Sequence, residues 1–201
     1  AIPALREAII RPVRIVAIGE TTGGQAEPDV AAQLARERLE PLRYGQVEGA
    51  EGLLSEGGTA VFTSDPEHAL SIVLDFGRIV TGHIHLELEG PAGATADFVS
   101  DERLQEDGRV RLGEGIPGFD IRFAHRYILR EGAQTWERFE WSGFRYLQVT
   151  FRSLSAPLRA RAIAVNTCGY PVEDRGAFEC SDPLLNRLWQ AGADTLKSSM
   201  Q

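Results

Sequence analysis

Between Trp136 and Phe151, WERFEWSGFRYLQVTF, apolar and polar positions alternate in strand-length pieces around one glycine, Gly143, where the chain can bend. The pattern predicts a strand, a bend and a second strand. In the second strand Leu147, Val149 and Phe151 share one face, while Phe144, Tyr146, Gln148 and Thr150 share the other. The first face suits a sandwich core. The second, aromatic and polar, suits contact with a neighbouring domain.

The same period-two signal recurs upstream and downstream. Ile9 to Ile18 reads as a first strand, with Pro12 making it an edge strand or breaking it. Pro28 to Leu39 reads as a short helix with Val30, Ala31, Leu34 and Ala35 on one stripe, stopped by Pro41. Gly45 to Gly58 is an irregular connection in which Val47 and Leu53-Leu54 could form brief strands. Thr59 to Thr63 is a strand, and Leu70, Ile72, Leu74 and Phe76 then alternate with Ser71, Val73 and Asp75. Gly77 and Gly82 bracket a bend. Beyond it Ile84, Leu86 and Leu88 alternate with His85, Glu87 and Glu89, a half-buried strand with one wet face. The turn Gly90 to Gly93 leads into Ala94 to Val99, and the two strands are expected to form a hairpin. Ser100 to Gly118 is an acidic, glycine-containing loop with a tight turn at Asp107-Gly108. Ile121 to Arg130 and Leu158 to Val165 add further strands. Nine to eleven strands at roughly ten-residue spacing predict an all-β fold, an antiparallel β-sandwich.

From Ser181 the period changes. SDPLLNRLWQAGADTLKSSMQ opens with a Ser/Asp cap and a proline, and Leu185, Trp189, Gly192, Leu196 and Met200 recur at helical spacing. This C-terminal amphipathic helix meets no stop signal before Gln201, so the chain is expected to be cut inside a larger protein. The expected division is 1–58 for the N-terminal strand, short helix and connection, 59–175 for the sandwich core, and 176–201 for a linker and helix.

Composition narrows the function classes. A formal charge of -8 in 201 residues, with no lysine or arginine run, argues against a nucleic-acid partner. An apolar run such as Ile15 to Ile18 is far too short to cross a membrane. The N-terminal AIPALREAII carries charges where a signal peptide is apolar, so a cytoplasmic protein or a piece of a longer precursor is expected. Cys168 and Cys180 have no histidines at zinc-ligand spacing, and their surroundings suit two reduced thiols better than a disulfide.

Three segments together carry a resemblance. LDFGRIVTGHIHLELEGPAGATADFVSDERL (Leu74 to Leu104), RFEWSGFRYLQVTF (Arg138 to Phe151) and GAFECSDPLLNRLWQAGADTLKSSMQ (Gly176 to Gln201) resemble the bacterial α-L-rhamnosidases of glycoside hydrolase family 78. The first two resemble the concanavalin-like, jelly-roll-like sandwich that precedes the catalytic domain. The third resembles the linker and first helix of the (α/α)6 catalytic barrel. The resemblance implies an accessory domain whose partner is its own catalytic domain, with an acidic pair on that barrel performing inverting hydrolysis. No residue of this chain matches the family's acid-bearing motif, so no catalytic residue is assigned and the chain alone is expected to be inactive.

Several residues remain as candidate sites. Trp136, Trp141 and Tyr146, with Phe139 and Phe144, could stack on a sugar ring of a rhamnose-containing glycan, although such aromatics more often serve core or interdomain packing. Arg145 needs an acidic partner, expected in the Ser100 to Gly118 loop or in a catalytic domain. Asp101, Glu102 and Asp107, with Asp97 and Glu106, could hold calcium, but their spacing fits no ordered ligand loop and a solvated loop is the simpler reading. His83 and His85, joined by His125, could form a metal site, against which stands the bulge that Gly82 permits. Three functions follow: an accessory domain of a rhamnosidase, a free-standing carbohydrate-binding module, or a structural interaction domain docking through the C-terminal helix.

Overall fold

The computed structural model describes residues 4–112, 123–173 and 175–200. In chain order they form β1 (Arg6–Ile10), β2 (Arg14–Thr22), α1 (Val30–Arg36), β3 (Gln46–Glu48), a 3-10 turn (Ala50–Leu54), β4 (Ala60–Thr63), β5 (His68–Gly90), β6 (Thr95–Asp101), β7 (Ala124–Ile128), β8 (Gly132–Glu137), β9 (Ser142–Arg152), β10 (Leu158–Gly169) and α2 (Pro183–Ser199). The strands make the expected antiparallel sandwich. Parts of the predicted acidic loop (113–118) and of the strand predicted from Ile121 lie outside the described residues.

One strand belongs to both sheets. The first half of β5 lies between β2 and β9, whose far side continues to β6 and β7. The second half lies between β10 and β8, and β10 carries β4, β3 and β1 on its far side. The alternation explains why one strand can serve both. From Leu70 to Phe76 every side chain is buried, because that sheet is covered on both faces. From Ile84 to Leu88 the apolar positions are buried while His85, Glu87 and Glu89 face outward. Between the halves the pairing slips between Asp75 and Val80. Gly77, with φ of +76°, makes that crossover, which a side chain would strain. At Gly82 a Cβ would lie 2.3 Å from the carbonyl oxygen of Asn166, so only glycine lets β5 pass this close to β10.

Several connections differ from the sequence reading, most for the same reason. The Gly90 to Gly93 turn does not close a hairpin: β5 leaves it in one sheet and β6 enters the other. Trp136 to Phe151 bends at Arg138 to Trp141, not at Gly143, which sits inside β9 opposite Thr81. Here too the chain changes sheets. Phe144, expected on the outer face, is fully buried and meets Phe76 edge-on at 5.6 Å, closing the core where β5 crosses over. Pro12 breaks the first strand into two, one for each sheet. Leu53 and Leu54 lie in the 3-10 turn, not in a strand.

The main core, between the sheets, gathers Phe62, Leu70, Ile72, Leu74, Ile84, Leu86, Phe98, Leu147, Val149 and Phe151. A smaller core covers the outer face of the β2–β5–β9–β6–β7 sheet, where Leu34 of α1 and Val110 of the acidic hairpin pack on Val73 and Val99. α1 starts at Asp29, whose carboxylate accepts the Ala32 N–H at 2.9 Å. It is anchored to the sheet by buried charge. Arg152, fully buried, donates to Asp97 at 2.7 Å and to both carboxylate oxygens of Glu37 at 2.8 and 2.5 Å. Arg126 grips the other side of Asp97 at 2.5 and 2.7 Å. Every oxygen of the buried Asp97 carboxylate therefore has a guanidinium partner.

Arg152→Met leaves Asp97 and Glu37 without their shared cation and is expected to cost about 3–5 kcal/mol in urea unfolding. Arg152→Lys is expected to recover little, because one ammonium cannot span both carboxylates. A loss below about 1 kcal/mol for the methionine variant would show that the network does not hold α1 in place.

Candidate functional site

The C-terminal helix α2 is started by Asp182, whose carboxylate accepts the Leu184 N–H at 2.8 Å, with Pro183 in the first turn. None of its residues is buried. Leu185, Leu188, Trp189 and Leu196 are 46%, 58%, 40% and 62% exposed, so a full apolar stripe faces solvent. The helix touches the sandwich at its C-terminal end. The Met200 carbonyl accepts the Tyr170 N–H at 3.0 Å and the Ser198 carbonyl accepts the Thr81 hydroxyl at 3.3 Å. A cavity of about 320 Å³ lies there, walled by Ile79, Val80, Tyr170, Val172 and Asp194 among others. The β5 crossover thus forms one wall of the α2 junction.

That crossover is pinned by charge. Asp75 is buried, and both its oxygens take hydrogen bonds from Arg145, at 2.9 and 3.1 Å. Arg14 donates to it at 2.8 Å and the Gly77 N–H at 2.7 Å. Arg145 therefore finds its partner at Asp75 within the sandwich, and not in the acidic loop or a catalytic domain, the two places expected. The signal for this was a single aspartate in the apolar run LSIVLDF. The Arg145 hydrogen bonds, aided by Arg14 and the Gly77 N–H, outweigh burial and hold the Asp75 carboxyl well below the usual carboxylate range.

The other candidate residues scatter. Trp136, on β8, stacks on Tyr127 at 4.8 Å and leans on Phe98 at 5.6 Å. Trp141 meets His83 edge-on at 5.0 Å, and Tyr146 lies beside the Arg145 guanidinium on the smaller core. The three aromatics do not share one face. His83 bonds the Arg138 carbonyl and His85 bonds Glu87 and Glu137, while His125 sits in the other sheet against Phe98. Asp97 serves the buried network; Asp101 accepts the Arg103 N–H and Asp107 pairs with Arg109. Among the described residues no three His, Cys, Asp or Glu side chains gather as metal ligands. Cys168 and Cys180 are free thiols. No described helix is long and apolar enough to cross a membrane.

The segment that forms both halves of β5 and runs through to β10 decides the family. Residues 67–166 match the bacterial alpha-L-rhamnosidase concanavalin-like domain. Over these residues the chain belongs to that family. It is 28% identical over 122 residues to an alpha-L-rhamnosidase of Formosa agariphila, covering 58% of this chain and 12% of that protein. A family 78 rhamnosidase of Bacillus sp. GL1 superposes with a TM-score of 0.72 at 28% identity, over 88% of this chain and 18% of that one. A rhamnosidase of Klebsiella oxytoca, solved with rhamnose bound, shares the fold at TM-score 0.64 and 21% identity, over 100% of this chain and 36% of its own. This rhamnosidase-family chain thus spans a minor part of each of these relatives.

The Asp75 pairing makes a pH-dependent contribution. A carboxyl whose folded pKa lies below its unfolded value of about 4 stabilises the fold above that pH and loses the contribution as pH falls toward the folded value. Asp75→Asn is expected to cost about 2 kcal/mol at neutral pH, and the gap to the parent is expected to narrow below about pH 4. Urea unfolding at several pH values reads this, and a gap independent of pH would exclude ionic pairing as its origin.

Proposed function

We propose that this chain is the accessory β-sandwich of an α-L-rhamnosidase, and that a helical (α/α)6 catalytic domain of the same polypeptide packs on the apolar stripe of α2. In this reading the acid and base of inverting hydrolysis belong to that helical domain, and the sandwich supports it and shapes its edge. One observation carries the proposal: a rhamnosidase-family sandwich is followed in the chain by a well-capped amphipathic helix that buries none of its residues. A helix in a folded protein owes most of its stability to a packed apolar face, and among the described residues the stripe of this one is left exposed. The greater length of the rhamnosidase relatives supports the same reading.

The test is the product of the native gene. Its intact mass is expected to be well above 22.0 kDa, and it is expected to release the aglycone from an aryl α-L-rhamnoside, giving β-L-rhamnose first by NMR, while the 201-residue chain releases none. A larger product that leaves α-L-rhamnosides untouched but cleaves another glycoside would overturn the substrate assignment. A product of about 22.0 kDa would remove the catalytic domain from the account.

A further inference from the structure

A cleft of about 380 Å³ lies between β7 and β8, the edge strands of the two sheets, and no residue of α2 lines it. Its size is at the lower end of the range for small-molecule sites, about 300–1,000 Å³. Phe98, His125, Trp136, Arg138, Phe139 and Glu140 form its walls.

Three of the walls are aromatic. Trp136 stacks on Tyr127 and leans on the tilted Phe98 ring, and Phe139, at the rim, is 96% exposed and offers its ring to whatever enters. The charges are already compensated. Arg138 pairs with Glu140 and donates to the Ser142 hydroxyl at 2.7 Å, and Arg126, which also lines the cleft, is paired with Asp97. Burial, reinforced by the nearby Arg138 charge, lowers the His125 pKa and so favours the neutral imidazole. Among the described residues, one polar atom of the cleft walls is left over: His125 Nε2 is buried and has no hydrogen-bond partner. A buried nitrogen without a partner is costly, and a ligand that supplies one recovers the loss.

We infer that this cleft binds one neutral pyranoside unit, its C–H face on Phe139 and Trp136 and a hydroxyl at His125 Nε2. A hydroxyl both donates and accepts, so it satisfies either tautomer of the neutral ring. Compensated charges give no site for a phosphate or a carboxylated sugar. The inference is independent of the rhamnosidase reading, because it concerns the edge of the sandwich and not its junction with α2.

The test is NMR titration of the 201-residue chain with methyl α-L-rhamnopyranoside, methyl α-D-glucopyranoside and methyl β-D-galactopyranoside. At least one is expected to shift the Trp136 indole and His125 ring signals saturably, with a Kd on the order of 1 mM. Phe139→Ala and His125→Phe are each expected to weaken that binding by about tenfold or more. Neither is expected to lower the unfolding midpoint, since one ring is exposed and the other substitution removes an unpartnered nitrogen. Absence of shifts with all three glycosides, or shifts that persist at full affinity in either variant, would overturn the assignment.

Discussion

A single strand, β5, has to satisfy two sheets with opposite requirements. Its first half is buried on both faces and its second half on one, and the change of requirement falls at the Asp75 to Gly82 crossover. Most of the architecture answers to this. The crossover fixes where β9 leaves β5 and where β10 and β8 take over. It also places Phe144 over the end of the core and presents Ile79 to Thr81 to the C-terminal end of α2. Glycine supplies the backbone freedom, and the Asp75–Arg145–Arg14 cluster supplies the electrostatic fixing.

Covering the outer face of one sheet requires a second device. α1 spans two turns and buries only Gln33 and Leu34, too little apolar area to dock by itself. Buried charge makes up the difference, at a desolvation cost that only full hydrogen bonding offsets. Asp97, Arg152, Glu37 and Arg126 meet that condition, with the Gly23 carbonyl taking one more Arg152 hydrogen bond. The acidic hairpin is attached by the same means: Arg109 reaches from Asp107 to the Glu37 carbonyl.

The class of fold was legible in the sequence because period-two alternation reports which face of a strand meets the main core, and β5, β9 and β10 alternate clearly. The pairing of strands was less so. A turn such as Gly90 to Gly93 looks the same whether it closes a hairpin or carries the chain across a sandwich, since that depends on the sheet each strand joins. Ionic partners were least legible. Asp75 and Arg145 are 70 residues apart in the chain, and Asp97 and Arg152 are 55 apart; no local spacing links them. What the sequence did offer was charge in the wrong place, an aspartate in LSIVLDF and an arginine closing LQVTFR. The unpartnered stripe of α2 was visible from its helical period, and the structure leaves that stripe exposed.

Among the described residues the sandwich encloses its own core, whereas the apolar stripe of α2 stays exposed. Amide hydrogen exchange along α2, compared between the 201-residue chain and the native gene product, tests this most directly. The account predicts that amides from Leu185 to Leu196 exchange on the order of 100-fold more slowly in the longer protein, while those of β5 and β9 are equally protected in both. Equal exchange along α2 in the two proteins would contradict it.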